Sequence, residues 1–187
     1  MFILTIYWLV SPIFWIFLPI FAIFYPKIRH HWQHGKTSIK SAKKIIDHDR
    51  DSRKVVHFHA ASAGEFEQLH PILKKIDRSR YFILLSFFSP TIFIPEKDTN
   101  LADAVCYHPF DFIWSAWLFF KKLKIQYYII TRNDIWPTHL FIANHIGIHT
   151  VLINANFYRE KYYRFFLYRS FLQKVLDNFN LILTSSD

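Results

Sequence analysis

Residues 54–69 read KVVHFHAASAGEFEQL, and this stretch decides the fold. Val55–His59 is a short β-branched and aromatic run of the kind that makes a buried strand. Small residues follow through Gly64 and form a tight break, after which Glu65 enters a helix-compatible stretch. A strand leading through a short turn into a helix is the opening of a βαβ unit.

The same grammar recurs outward from this point. Further strand candidates are Phe82–Phe87, Ala104–Tyr107, Gln126–Thr131, His149–Asn154 and Leu181–Thr184. Helical candidates lie between them at 65–77, 111–124, 136–146 and 158–178, with a weaker one at 92–97. Strands alternating with helices predict an α/β fold, a Rossmann-like doubly wound parallel sheet over 54–187. Ligands gather at the carboxyl ends of such strands, so the residues leaving each run carry the functional question.

The first break is His59-Ala60-Ala61-Ser62-Ala63-Gly64-Glu65. Gly64 has access to conformations closed to other residues, and an acid at a helix start is favoured by the dipole while staying aimed at the strand-end crevice. Two readings stay open here: a tight turn with a first-turn acid, or a carboxylate presented to a ligand. His57 and His59 share a strand face, but no third ligand accompanies them and no metal site is expected. The other breaks are Ser89-Pro90-Thr91, His108-Pro109-Phe110-Asp111, Arg132 to Pro137, and Asn154-Ala155-Asn156. Asp111 is expected to cap the helix that follows it, and Pro137 to open the next at its first position. Trp114, Trp117, Phe119 and Phe120 read as core or as a membrane-apposed face. Arg159, Lys161, Arg164 and Arg169, set among aromatics, suit either a phosphate grip or the solvated edge of an amphipathic helix.

Upstream, Phe2 to Tyr25 is uncharged, and at 1.5 Å per residue a helix over it reaches about 36 Å, enough to cross a hydrocarbon core. Residues 1–26 are therefore expected to be a membrane anchor, with Pro12 and Pro19 as places where it kinks or inserts only partly. Basic residues follow the apolar run at Lys27, Arg29, Lys36, Lys40, Lys43 and Lys44, which keeps the body cytoplasmic by the positive-inside rule. Residues 27–53 read as a basic connector suited to anionic headgroups, or as an ordinary solvated linker.

Composition removes other classes. The formal charge is +9, and 52% of the 187 residues are hydrophobic, enough to fold. One cysteine, Cys106, excludes a disulfide scaffold and multi-cysteine zinc sites. Three glycines leave no dinucleotide fingerprint and no P-loop. A nucleic-acid role is disfavoured, since an anchor sequesters the chain and no recognition module is visible.

The ordered series HAASAGE (59–65), SFFSPT (86–91), YHPFD (107–111), IWP (135–137), INAN (153–156) and LILTSSD (181–187) resembles the N-terminal half of the bacterial 3-deoxy-D-manno-octulosonic-acid (Kdo) transferases. The resemblance implies the acceptor half of a two-domain GT-B glycosyltransferase that moves Kdo from CMP-Kdo to the lipid A precursor at the cytoplasmic face of the inner membrane. It assigns the general base to Glu65, with Ser62 and Gly64 shaping the loop around it and Asp134, Asn154 and Asn156 on the substrate side. It implies no cofactor beyond the donor CMP-Kdo. Departures from the family pattern are Arg132-Asn133-Asp134 where E-T-E is usual, Asn154-Ala155-Asn156 where N-A-R is usual, and the loss of a glycine after Thr91. The chain ends at Asp187, about where the connection to a donor-binding domain is expected, so a separate C-terminal half is an expected partner. A catalytically inactive, membrane-anchored lipid A-binding module is the alternative reading.

Overall fold

The computed structural model describes residues 2–132, 134–155 and 166–184. The elements run α1 (Phe2–Phe24), α2 (Pro26–Asp49), β1 (Lys54–Ala60), α3 (Ala63–Leu73), β2 (Tyr81–Phe87), α4 (Pro90–Glu96), β3 (Ala104–Tyr107), α5 (Ile113–Lys122), β4 (Ile125–Thr131), α6 (Pro137–His145), β5 (His149–Ala155), α7 (Phe166–Leu176) and β6 (Leu181–Thr184). All six strands pair in parallel in the order β3-β2-β1-β4-β5-β6. The order reverses between β1 and β4, and the crevice beyond their carboxyl ends is where this architecture binds ligands.

β1 and β2 are buried almost throughout, because helices cover both faces of a parallel sheet. On one face Val55, Phe82, Leu84, Tyr128 and Ile130 meet Ala42 and Ile46 of α2, Ala116 and Phe119 of α5, and Leu140 of α6. On the other, Val56, Phe58, Ile83 and Leu85 meet Phe66, Leu69 and Leu73 of α3 and Ile92 and Phe93 of α4. Alternation along β1 sends His57 and His59 to the same face as Val55.

The segment read as a connector is a continuous helix over Pro26–Asp49, with His31, Gly35, Ala42 and Ile46 buried. These fall at helical spacing, yet two of the four are histidine and glycine, so the buried stripe carries little apolar signal. The helix covers the free edge of β3. Tyr107 N donates to Ser38 Oγ at 3.0 Å, and His31 Nε2 bonds the His108 carbonyl oxygen at 2.8 Å. A strand edge is thereby withheld from other chains. Gly35 sits 4.0 Å, through a notional Cβ, from Tyr107 Cβ, so a small residue lets the helix come this near.

α1 stays helical through Pro12 and Pro19 and is long and apolar enough to cross a membrane. It packs beside α2 and reaches the body, where Tyr7 and Trp8 bond to Asp111 and Thr138.

Candidate functional site

The loops leaving β1 and β4 build the crevice. Ser62 is the N-cap of α3, and its Oγ accepts from Glu65 N at 3.4 Å. In return Glu65 Oε2 accepts from Ala61 N at 2.7 Å. This is a capping-box arrangement shifted by one residue, and it fixes the carboxylate over the crevice. Oε1 has no hydrogen-bond partner among the described residues. Of the two readings left open by the sequence, these bonds show the first-turn acid at a tight turn.

Gly64 corrects an expectation. Its backbone is ordinary helix, not the left-handed region, which among the glycines belongs to Gly147. A Cβ built on Gly64 meets nothing within 4 Å. The lack of a side chain there leaves the lip of the crevice open and relieves no internal crowding.

Across the crevice Asp134, in the β4–α6 loop, accepts on Oδ2 from His59 Nε2 at 2.8 Å and from Trp136 Nε1 at 2.9 Å. An ionised carboxylate only accepts, so His59 donates from Nε2, while its Nδ1 lies 2.9 Å from Ser86 Oγ and 3.2 Å from the Ser86 carbonyl oxygen. Ser86 Oγ in turn takes His57 Nε2–H at 2.7 Å. The result is a buried chain His57–Ser86–His59–Asp134 whose last oxygen reaches the crevice.

The two crevice carboxylates are pushed apart in proton affinity. Burial raises the Glu65 carboxyl above the usual range, the Ala61 N–H opposes this, and the negative charge of Asp134 adds to the rise. Burial pushes Asp134 up as well, but the hydrogen bond and charge of His59 and the bond from Trp136 prevail and hold it below the usual range. Paired carboxyls driven in opposite directions are the arrangement by which a site keeps one group ionised and another poised to exchange a proton.

Asp111 does not cap α5, whose N-cap residue is Phe112, with Phe112 N donating to Ser115 Oγ. It turns to the neighbouring helix and accepts from Thr138 N at 3.1 Å, His139 N at 3.0 Å and His139 Nδ1 at 2.7 Å, with Tyr7 OH donating at 2.7 Å. Thr138 and His139 are fully buried, so the first N–H groups of α6 cannot turn to water and take this carboxylate instead. Pro137 opens α6 as expected.

Around these groups lies a buried cluster of aromatic histidines. His59 and His108 pack at a tilt with ring centres 4.0 Å apart, and His108 and His139 are 4.3 Å apart. Burial lowers His57 and His108 well below the ordinary histidine value, and burial lowers His139 against the opposing pull of Asp111. Among the described residues no group of three or more ligating side chains converges as a metal site requires.

The remaining expected residues divide. Asn154, one residue before the end of β5, lies in the left-handed region at φ 53°, and its Nδ2 is 3.4 Å from Gln68 Oε1 on α3, so it borders the same edge. Asn156, like Asn133, Arg159, Lys161 and Arg164, lies outside the described residues. Sequence reading missed the roles of Ser86, Trp136 and His139, although Ser86 and Trp136 stand within the quoted strings SFFSPT and IWP.

Comparison with known proteins follows the same residues. Residues 32–187 match the family model of 3-deoxy-D-manno-octulosonic-acid transferase (kdotransferase). Over 99 residues, 52% of this chain, the sequence is 30% identical to the 3-deoxy-D-manno-octulosonic acid transferase of Aquifex aeolicus (strain VF5), and that match covers 27% of the relative's length. The chain belongs to the 3-deoxy-D-manno-octulosonic-acid transferase family, a family of glycosyltransferases.

Proposed function

We propose that the chain forms the acceptor side of a Kdo transferase that moves Kdo from CMP-Kdo to the lipid A precursor at the inner membrane. The observation that carries the reading is the half-buried Glu65 carboxyl, with one oxygen unbonded among the described residues, close enough to Asp134 at the switch point of the sheet to feel its charge. A sugar hydroxyl is a weak nucleophile. Glu65 Oε1 takes its proton as the oxygen bonds to the anomeric carbon of Kdo, and the CMP phosphate leaves with the electron pair of the broken bond. Burial raises the proton affinity of Glu65, which makes its carboxylate a stronger base than that of an exposed glutamate.

Asp134 remains charged and offers Oδ1, which has no partner among the described residues, to an acceptor hydroxyl. Ser62 fixes the loop, Gly64 leaves room for the sugar ring, and Asn154 borders the approach from β5, while the family resemblance assigns Asn156 to the acceptor. A +9 charge suits a phosphorylated glycolipid in an anionic membrane, to which α1 anchors the body.

A transfer assay with CMP-Kdo and lipid A precursor, run on this chain alone and with a donor-binding domain supplied, tests the proposal. Transfer in either arm supports it. Acceptor binding with no transfer in both arms favours the inactive lipid A-binding module.

A further inference from the structure

We infer that α1 does not cross the bilayer but lies along it within one leaflet, and that the exposed aromatic edge of α5 enters the same leaflet. A helix that spans a membrane leaves its extramembrane body behind after the first turn. α1 does not: Tyr7 OH bonds Asp111, Trp8 Nε1 bonds Thr138 Oγ1 at 3.3 Å, Trp8 packs on Phe141 at 4.6 Å and Trp15 meets Trp114 at 6.2 Å. Further along, Ser11, Leu18 and Ala22 are buried. These positions form one stripe, and from Tyr7 to Ala22 it holds about 22 Å of helix against the protein.

The opposite stripe is apolar and bare. Leu9, Ile16 and Ile23 are 71%, 64% and 67% exposed, and Ile13 and Ile20 lie between them. Next to Trp15, α5 exposes Ile113, Trp114, Trp117 and Leu118, continuing the same surface. A patch this large and this apolar does not stand in water. Lys27 and Arg29, exposed just beyond the end of α1, supply the cationic rim that an anionic leaflet attracts. The occupant is therefore the lipid leaflet. The inference rests on the proposed function only in taking a membrane as the surroundings.

The test places a nitroxide on a cysteine at Leu9, Ile16 or Ile23 in turn, in the full chain bound to vesicles of phosphatidylethanolamine and phosphatidylglycerol. Cys106 is fully buried and does not compete for label. Relative collision with oxygen and with a water-soluble nickel chelate reports depth. In-plane binding predicts one common depth for the three labels, whereas a spanning helix spreads Leu9 and Ile23 over about 21 Å. That spread overturns the inference, as do three water-exposed labels, or labels immobilised and shielded in a concentration-dependent manner by a second copy of the chain. Trp117→Glu tests α5 and is expected to lower the vesicle partition coefficient about tenfold with the fold unchanged by circular dichroism. Unchanged partition removes α5 from the interface. Label depth does not read transfer, so equal depths with no sugar transfer keep this inference and defeat the transferase reading, and the converse result does the reverse.

Discussion

Glu65 and Asp111 are carboxylates at the same edge of one sheet, each close to a helix N-terminus, and their surroundings are opposite. Asp111 is buried and takes bonds from the Tyr7 hydroxyl, two backbone N–H groups and an imidazole; burial raises its proton affinity, but the His139 bond and charge outweigh this and hold it below the usual range. Glu65 is half-buried, takes one short backbone bond, and is held above that range mainly by loss of water. A carboxylate saturated with donors has no lone pair left for a substrate and serves the fold. One that is desolvated and only partly satisfied can still accept a proton.

The largest effect on stability should follow from Asp111. Asp111→Ala leaves two buried N–H groups and an imidazole without their acceptor and unties α1, and chemical denaturation should show a loss of about 3 kcal/mol or more. A loss below about 1 kcal/mol would put Asp111 in the same category as Glu65 and break the comparison.

The buried histidines set the next effect. Burial pulls His31 to about 4 and His57 and His108 well below 6.5, while in the unfolded chain each titrates near 6.5. As pH falls below 6.5 the unfolded state binds protons that the folded state refuses, so stability declines with falling pH. The slope is up to about 1.4 kcal/mol per pH unit for each such histidine. For His31 the decline ends near pH 4, and the depressed Asp111 and Asp134 continue it as pH falls below 3.8. Denaturation midpoints that stay flat from pH 7 to about 4 would contradict the buried neutral cluster.

The smallest change in stability sharpens the other side. Gly64→Ala adds a methyl to open space on a helical backbone and should stabilise α3 by about 0.5–1 kcal/mol. If the lip of the crevice receives a sugar, the same variant loses transfer activity despite its better thermal stability. A gain in both would show that no ligand approaches Gly64.

Much of this was legible in the sequence, for physical reasons that also mark where legibility stops. Strand cores such as Ala104–Tyr107 announce themselves because a parallel strand buried on both faces is a short apolar run. Glu65 was legible as a first-turn acid because the strand, the small-residue break and the helix that set it are contiguous in the chain. α2 was hidden because His31 and Gly35 carry its buried stripe in place of leucines. The Asp111–His139 pair was hidden because 28 residues separate partners that only the sheet brings together. The placement of α1 against the body is likewise tertiary, resting on Tyr7 and Trp8 meeting residues more than a hundred positions away.

The central claim is that the free oxygen of Glu65 removes a proton from the acceptor. The most direct measurement is steady-state transfer by the Glu65→Gln variant, assayed with CMP-Kdo, lipid A precursor and a donor-binding domain. Glutamine keeps the oxygen that accepts from Ala61 N but cannot act as base, so kcat should fall about 10²- to 10⁴-fold while acceptor KM and the unfolding midpoint hardly move. An unchanged kcat would contradict the account.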